Sequence, residues 1–416
     1  MHLLEQFILI TIYFYNVNQG FQQQKTSRTC SGVIYSGEDL SQDRTKRSIY
    51  INMKANWTQN IKYFIHKNVY RPKIISVFNF LMRETCLKFE ETNNVRLKET
   101  QIEFILSKDL CFANIGRKHD GKNTQVKLTY YCAKSFGTTG HEILHALGVG
   151  HEHQRPDRDS HIRYNKHFIK DNYKMHITDM YYSFEMKSLG IPYDYASIMH
   201  YRKTAFSKNG KNTIEAKKSK LYNKMMGHEA MFTFNDIKVL NYYYCRKQCS
   251  YFFKKECKNG GYVKEPQCFK CICPKEYEGD KCEKVKDRSY NCSLETYTAL
   301  TSPTFFYKIG RKRCVFFIKA SEGKRIELYL KIVVTKEKDY CLSDVGLEIK
   351  YLNDKGTTGL CLCGLYENIK IISESNEVVL TFTGLSDSHM FIGSFKEIFK
   401  SGKEKSMICY DNQCNQ

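Results

Sequence analysis

The sequence predicts a multidomain protein in which a large α+β domain leads, and a small cysteine-rich module and a strand-rich domain follow. Length is the first ground: 416 residues exceed what a single core usually holds, so roughly two to four domains are expected. Mixed periodicity is the second. Residues 69–83 carry apolar side chains at helical spacing, whereas Gln101–Leu106 alternates like a strand and Val126–Tyr130 supplies a further short one. Cysteine usage is the third. Most of the 18 cysteines follow Cys245 and six crowd into Cys249–Cys282, a density that fits disulfides in an oxidising compartment.

The N-terminus agrees with that compartment. Phe7–Tyr15 is an apolar run of signal-peptide length, too short to span a bilayer, so residues 1–20 read as a secretory signal cut near Gly20. No later stretch is long and apolar enough for a membrane anchor. Residues 21–47 are polar and end in Arg44-Thr45-Lys46-Arg47, which resembles an R-x-K-R processing site. They therefore read as a propeptide released by a processing protease cutting between Arg47 and Ser48. Hydrophobic residues at 42% and charged residues at 26% are ordinary for a globular chain and argue against global disorder. The net charge of +21 is spread along the chain and gathers on no nucleic-acid module, so no nucleic-acid partner is expected. Attraction to acidic extracellular polymers is compatible with it but unspecific.

The chemistry lies in His141–Asp159, HEILHALGVGHEHQRPDRD. His141 and His145 stand four apart and share one face of a helix, so two imidazoles can converge on a metal. Gly148 can adopt the left-handed conformation that ends the helix and brings His151 round as a third ligand. Three protein ligands plus water is the open arrangement of a catalytic zinc site. Glu142 is placed to act on the water rather than on the ion. H-E-x-x-H alone occurs by chance on helix surfaces, but H-E-x-x-H-x-x-G-x-x-H is far more restrictive and marks the metzincins. Ser197-Ile198-Met199-His200-Tyr201, preceded by Pro192-Tyr193-Asp194-Tyr195, supplies a Met-turn downstream.

With the run Glu152–Asp159, these residues resemble the astacin family of zinc endopeptidases, over residues 48–245. The resemblance implies an α+β metzincin fold, a twisted sheet plus a zinc helix starting near Thr138, and a final helix over Phe234–Cys245. It implies zinc on His141, His145 and His151, Glu142 as general base, Tyr201 as oxyanion stabiliser and Met199 as a floor beneath the ligands. Glu152 becomes the carboxylate that meets the mature N-terminus, and the disulfides become Cys86–Cys245 and Cys111–Cys132. Tyr35-Ser36-Gly37-Glu38 is similar to the family's latency motif, which makes Glu38 the zymogen's zinc ligand, with Asp39 and Cys30 as competitors. Ala196, where the family usually has Gly, and Val149-Gly150, where an aromatic is common, depart from the pattern near the cleft. Arg202, Lys203, Lys208, Lys211, Lys217, Lys218 and Lys220 crowd the segment after the Met-turn, so acidic residues are expected to be favoured near the scissile bond.

Residues 246–283 carry six cysteines spaced x7, x10, x2, x1 and x8, which resemble an EGF-like module. That implies Cys249–Cys268, Cys257–Cys271 and Cys273–Cys282, although spacing alone allows about 15 connectivities. Residues 292–400 resemble a CUB domain, a β-sandwich, on Cys314-Val315-Phe316, Ile326–Leu330, Cys341, Leu347-Glu348-Ile349 and Cys363-Gly364. The implied pairs are Cys292–Cys314 and Cys341–Cys363, with Cys361 as the rival to Cys363, and the implied partner is another extracellular protein. The tail 401–416 adds Cys409 and Cys414, so Cys361, Cys409 and Cys414 cannot all pair internally. Asn56 and Asn291 begin glycosylation sequons. The expected function is a secreted zinc-dependent endopeptidase made as a zymogen and acting on protein or peptide substrates. The rival is an extracellular binding protein with an idle protease fold.

Overall fold

Five strands and three longer helices frame the leading domain. The structure, a computed structural model, describes residues 56–95, 99–118, 121–180, 188–245, 256–264, 268–399 and 406–415. The expected signal, the propeptide with Cys30, Glu38 and Asp39, the Arg47–Ser48 bond and Cys249 all lie outside them. Strands β1 (Asn60–Ile65), β2 (Lys88–Glu91), β3 (Ile102–Leu106), β4 (Phe112–Ala113) and β5 (Thr124–Leu128) form one sheet in the order β2-β1-β3-β5-β4. Its pairs are parallel except β4 on β5, which leaves a short antiparallel strand at the edge. The strand expected over Val126–Tyr130 begins and ends two residues earlier. Thr129 stops it by capping the next short helix, its side chain accepting from Cys132 N.

Helix α1 (Arg71–Glu84) opens with Pro72, whose fixed φ suits a first turn, and buries Ile74, Val77, Phe78 and Leu81. Phe78 stacks on Phe89 of β2 at 4.2 Å, locking helix to sheet. Helix α2 (Phe136–Ala146) is N-capped by Ser135 and buried from Gly137 to Ala146, so it crosses the domain rather than coating it. Gly148, at φ 92°, ends it. Helix α3 (Phe234–Tyr244) starts with a capping box of Thr233 and Asp236. Disulfides Cys86–Cys245 and Cys111–Cys132 tie the end of α1 to the end of α3, and β4 to the α2 approach. Between α2 and α3 the described residues hold short 3-10 turns, a short helix at Lys174–Thr178 and one small ladder, Ile162–Tyr164 on Ile214–Ala216.

The cysteine-rich segment has two two-residue ladders and the bonds Cys257–Cys271 and Cys273–Cys282. Cys268 is disulfide-bonded as well. A β-sandwich of a five-stranded and a six-stranded sheet follows, with Cys292–Cys314 and Cys341–Cys363. The sandwich does not stop near 400: Met407–Tyr410 and Gln413–Asn415 extend the six-stranded sheet, clipped by Cys409–Cys414. Among the described residues, Cys361 is the thiol left over, and it is buried.

Side-chain contacts join these parts. Lys238 of α3 donates to Gly260 O at 2.8 Å and pairs with Asp354 of the sandwich. Tyr222 and Tyr351 share a buried hydroxyl contact at 2.7 Å. Lys275 of the cysteine-rich segment pairs with Glu348 and Asp344, and Lys350 with Glu276, an ionic cluster at the seam with the sandwich.

Candidate active site

The helix pitch puts His141 and His145 one above the other, and the turn at Gly148 returns His151 to them. Each imidazole is oriented through Nδ1. His141 Nδ1 meets Ile198 O at 2.8 Å, His145 Nδ1 meets Val149 O at 2.8 Å, and His151 Nδ1 meets Gln154 Oε1 at 3.0 Å. Those oxygens only accept, so the protons sit on Nδ1 and the three Nε2 lone pairs are presented to one point. The candidate ligand atoms all lie within 4.8 Å of one another, and Nε2 of His145 and His151 approach to 3.1 Å. Lone pairs at that separation repel unless a cation lies between them. Burial also lowers the pKa of His141, favouring the neutral, ligating form. The donor set therefore fits zinc with one coordination position left open.

Glu142 is fully buried, and both its oxygens lack a hydrogen-bond partner among the described residues. Burial, helped by the Glu229 charge, pushes its carboxyl up to about 8 in the metal-free protein. A buried carboxylate with open acceptor sites beside three converging imidazoles is set to take a proton. Tyr201 stands edge-on to His151 at 4.5 Å. Met199 is buried, and its carbonyl accepts from Glu152 N at 2.9 Å, which ties the Met-turn to the residue after the third histidine.

Glu152 Oε1 accepts from Arg155 Nη1 at 3.0 Å and from Asp194 N at 2.9 Å. Burial raises its pKa to about 7 against the pull of Arg155. It lines a small cavity with Val149, Ile191, Asp194 and Met199. Ala196 is accommodated beside it: its N–H donates to Asp194 Oδ1 at 3.0 Å and its carbonyl accepts from His228 at 2.6 Å.

Two contributors escape sequence reading. Asp236 accepts from Ser197 Oγ at 2.6 Å and Ile198 N at 3.1 Å, so the cap of α3 also holds the Met-turn. The Thr233-x-x-Asp236 spacing is a signal that could have located the cap, but not this second use. His153 stacks on Tyr201 at 3.9 Å and 27°, is fully buried, and has neither ring nitrogen hydrogen-bonded among the described residues. Burial holds its pKa well below the ordinary value.

Several of the cations that follow the Met-turn are engaged within the chain. Lys217 donates to Asp159 O, Lys218 to Ser406 Oγ at 2.7 Å, and Lys220 pairs with Asp411. These three hold the chain's own loops and C-terminal strands, whereas Arg202 lies 3.7 Å from Glu229. Of the sequon residues, Asn291 is exposed, whereas Asn56 is half-buried and accepts from the Tyr243 hydroxyl.

An open three-histidine site on a helix, with a carboxylate one residue after the first ligand and a methionine turn beneath, defines a metzincin-type zinc peptidase. The model of the astacin peptidase family matches residues 50–245, and the CUB domain model matches residues 290–399. Zinc metalloproteinase nas-29 of Caenorhabditis elegans is 30% identical over 87% of this chain and 69% of its own length. The chain belongs to the astacin family. Zinc metalloproteinase nas-36 of the same organism is 32% identical over 82% of this chain. The chain spans 57% of that relative, little more than half its length. Among solved structures it is similar to high choriolytic enzyme 1, a hatching enzyme zinc-protease from medaka fish. That likeness has 27% identity over 46% of this chain and 96% of the other, with a TM-score of 0.41.

Proposed function

We propose that the chain is a secreted zinc-dependent endopeptidase, made as a zymogen and acting on extracellular proteins. The observation that carries this is the meeting of three Nε2 lone pairs beside the unpartnered carboxylate of Glu142. When bound, zinc polarises a water and lowers its pKa towards about 7. Glu142 takes the proton from the attacking water and hands it to the leaving amine. Tyr201, held by its stack on His153, donates its phenol proton towards the charge growing on the scissile carbonyl. Substrate lies extended along the sheet edge at β4, adding main-chain hydrogen bonds.

Latency and maturation complete the reading. Glu38, or failing it Asp39, occupies the water's position until the chain is cut between Arg47 and Ser48, whereas Cys30 does not. The new N-terminus then meets Glu152, whose half-buried carboxylate beside a small cavity supports that role. Residues 48–245 are the protease, 246–283 an EGF-like spacer, and 292–400 the CUB domain with 401–416 as its extension. Exposed Phe305 and Tyr307 on the edge strand Thr304–Ile309 support a protein partner for that domain. Among the described residues, no helix is long and apolar enough to cross a membrane. Asn291, being exposed, is the more accessible glycosylation site.

The test is cleavage of a protein substrate by the processed chain, abolished by a zinc chelator and restored by added zinc. Zinc-loaded protein without cleavage would leave the idle extracellular binding protein as the function.

A further inference from the structure

The CUB domain touches the protease domain where the Met-turn is anchored. Asp194 is 1% exposed, and its Oδ2 accepts twice from one residue, Thr358, at 2.9 Å from the hydroxyl and 3.3 Å from the backbone N–H. Among the described residues, no protease-domain group donates to that oxygen. Its other oxygen accepts from Ala196 N at 3.0 Å, within the turn itself. Asp194 N in turn donates to Glu152 Oε1 at 2.9 Å, and Glu152 N to Met199 O at 2.9 Å. Glu152 directly follows the ligand His151. A run of hydrogen bonds therefore leads from the sandwich to both sides of the histidine site.

The loop carrying Thr358 is seated firmly. Asn235 donates to Thr357 Oγ1 at 3.3 Å, and Asp354 pairs with buried Lys238 at 3.5 Å. Gly356 lies so close to Phe234 that a Cβ there would stand 3.0 Å from the ring. All three partners belong to α3, whose cap Asp236 holds Ser197 and Ile198.

We infer that Thr358 is a positioning residue of the catalytic site, so that the CUB domain completes the site instead of only trailing it. Thr358 touches neither substrate nor metal. It satisfies the buried Asp194 carboxylate and thereby fixes the backbone at Ala196 and Glu152. This rests on the peptidase reading above, which the test keeps separate.

The experiment uses the full processed chain with Thr358→Val, an isosteric loss of the hydroxyl, and Thr358→Ser, which keeps it. Thr358→Val is expected to lower kcat about tenfold with KM within about twofold, and Thr358→Ser to restore the rate. Amide hydrogen exchange over residues 196–201 should speed up in the valine variant alone. Against an Asp194→Asn background, Thr358→Val should have no further effect on kcat, because it acts through that carboxylate. A contact that merely glues domains would lower the melting temperature and leave kcat of the folded protein unchanged. Wild-type kcat and exchange in Thr358→Val would overturn the inference. If the wild-type chain cleaves nothing, the peptidase reading fails and exchange over 196–201 alone decides the role of Thr358.

Discussion

Glu142 in the zinc helix and Glu348 in the sandwich are the same residue type at nearly the same burial, 0% and 2% exposed. Their surroundings are opposite. Glu142 has no hydrogen-bond partner among the described residues, and burial with the Glu229 charge pushes it up to about 8. Glu348 faces the same burial, but Lys275 at 2.9 Å and Lys350 at 3.7 Å hold it down at about 2. Gly359 N–H adds a hydrogen bond at 3.2 Å. On the proposed reading the zinc helix keeps polar capacity open for a reacting water, whereas the seam between modules sets its carboxylates against lysines. Burial alone thus says little about a carboxylate's role, because its neighbours decide whether it is a base or a strut.

The largest effect should come from His145→Ala, which leaves two ligands and so removes both zinc and turnover, measured by elemental analysis and peptide cleavage. At the seam, Lys350→Met leaves two buried carboxylates, Glu276 and Glu348, to share the single cation Lys275. It should cost about 3–5 kcal/mol in denaturant unfolding, and pairing it with Glu348→Leu should recover much of that loss. Acid comes next. Glu348 has a folded pKa depressed to about 2 from an ordinary value near 4.5, so its stabilisation is complete above that ordinary value. It is lost as pH falls towards about 2. The melting temperature should drop across that window, and Glu348→Gln should flatten the drop. Smallest of all, Glu142→Gln in metal-free protein at a pH below about 4.5, where the carboxyl is neutral in the folded and unfolded chain alike, should shift stability by under about 1 kcal/mol, since no partner is lost. A seam-sized loss there would erase the contrast between the two regions.

Local spacing made most of the site legible. His141, Glu142, His145 and His151 lie on one helix and its turn, so their convergence follows from the pitch and from Gly148. The α1 and α3 helices also fall within two residues of the expected bounds, α1 through its apolar spacing and α3 through the family resemblance. What escaped depends on distant parts of the chain meeting. Thr358 reaches Asp194 across 164 residues, and Asp236 reaches Ser197 across 39. No periodicity records such pairings. Lys218 and Lys220 read only as positive charge after the Met-turn, because Ser406 and Asp411, their partners, lie almost two hundred residues on. His153 sat within the motif, but its stack on Tyr201 needed the fold.

The most direct measurement sets zinc content beside turnover for processed wild-type chain and for Glu142→Gln. A buried carboxylate that serves as base should, when made an amide, leave zinc bound by His141, His145 and His151 at the wild-type stoichiometry while turnover falls about a thousandfold. A zinc-loaded Glu142→Gln protein that cleaves peptide at near wild-type rates would contradict the account.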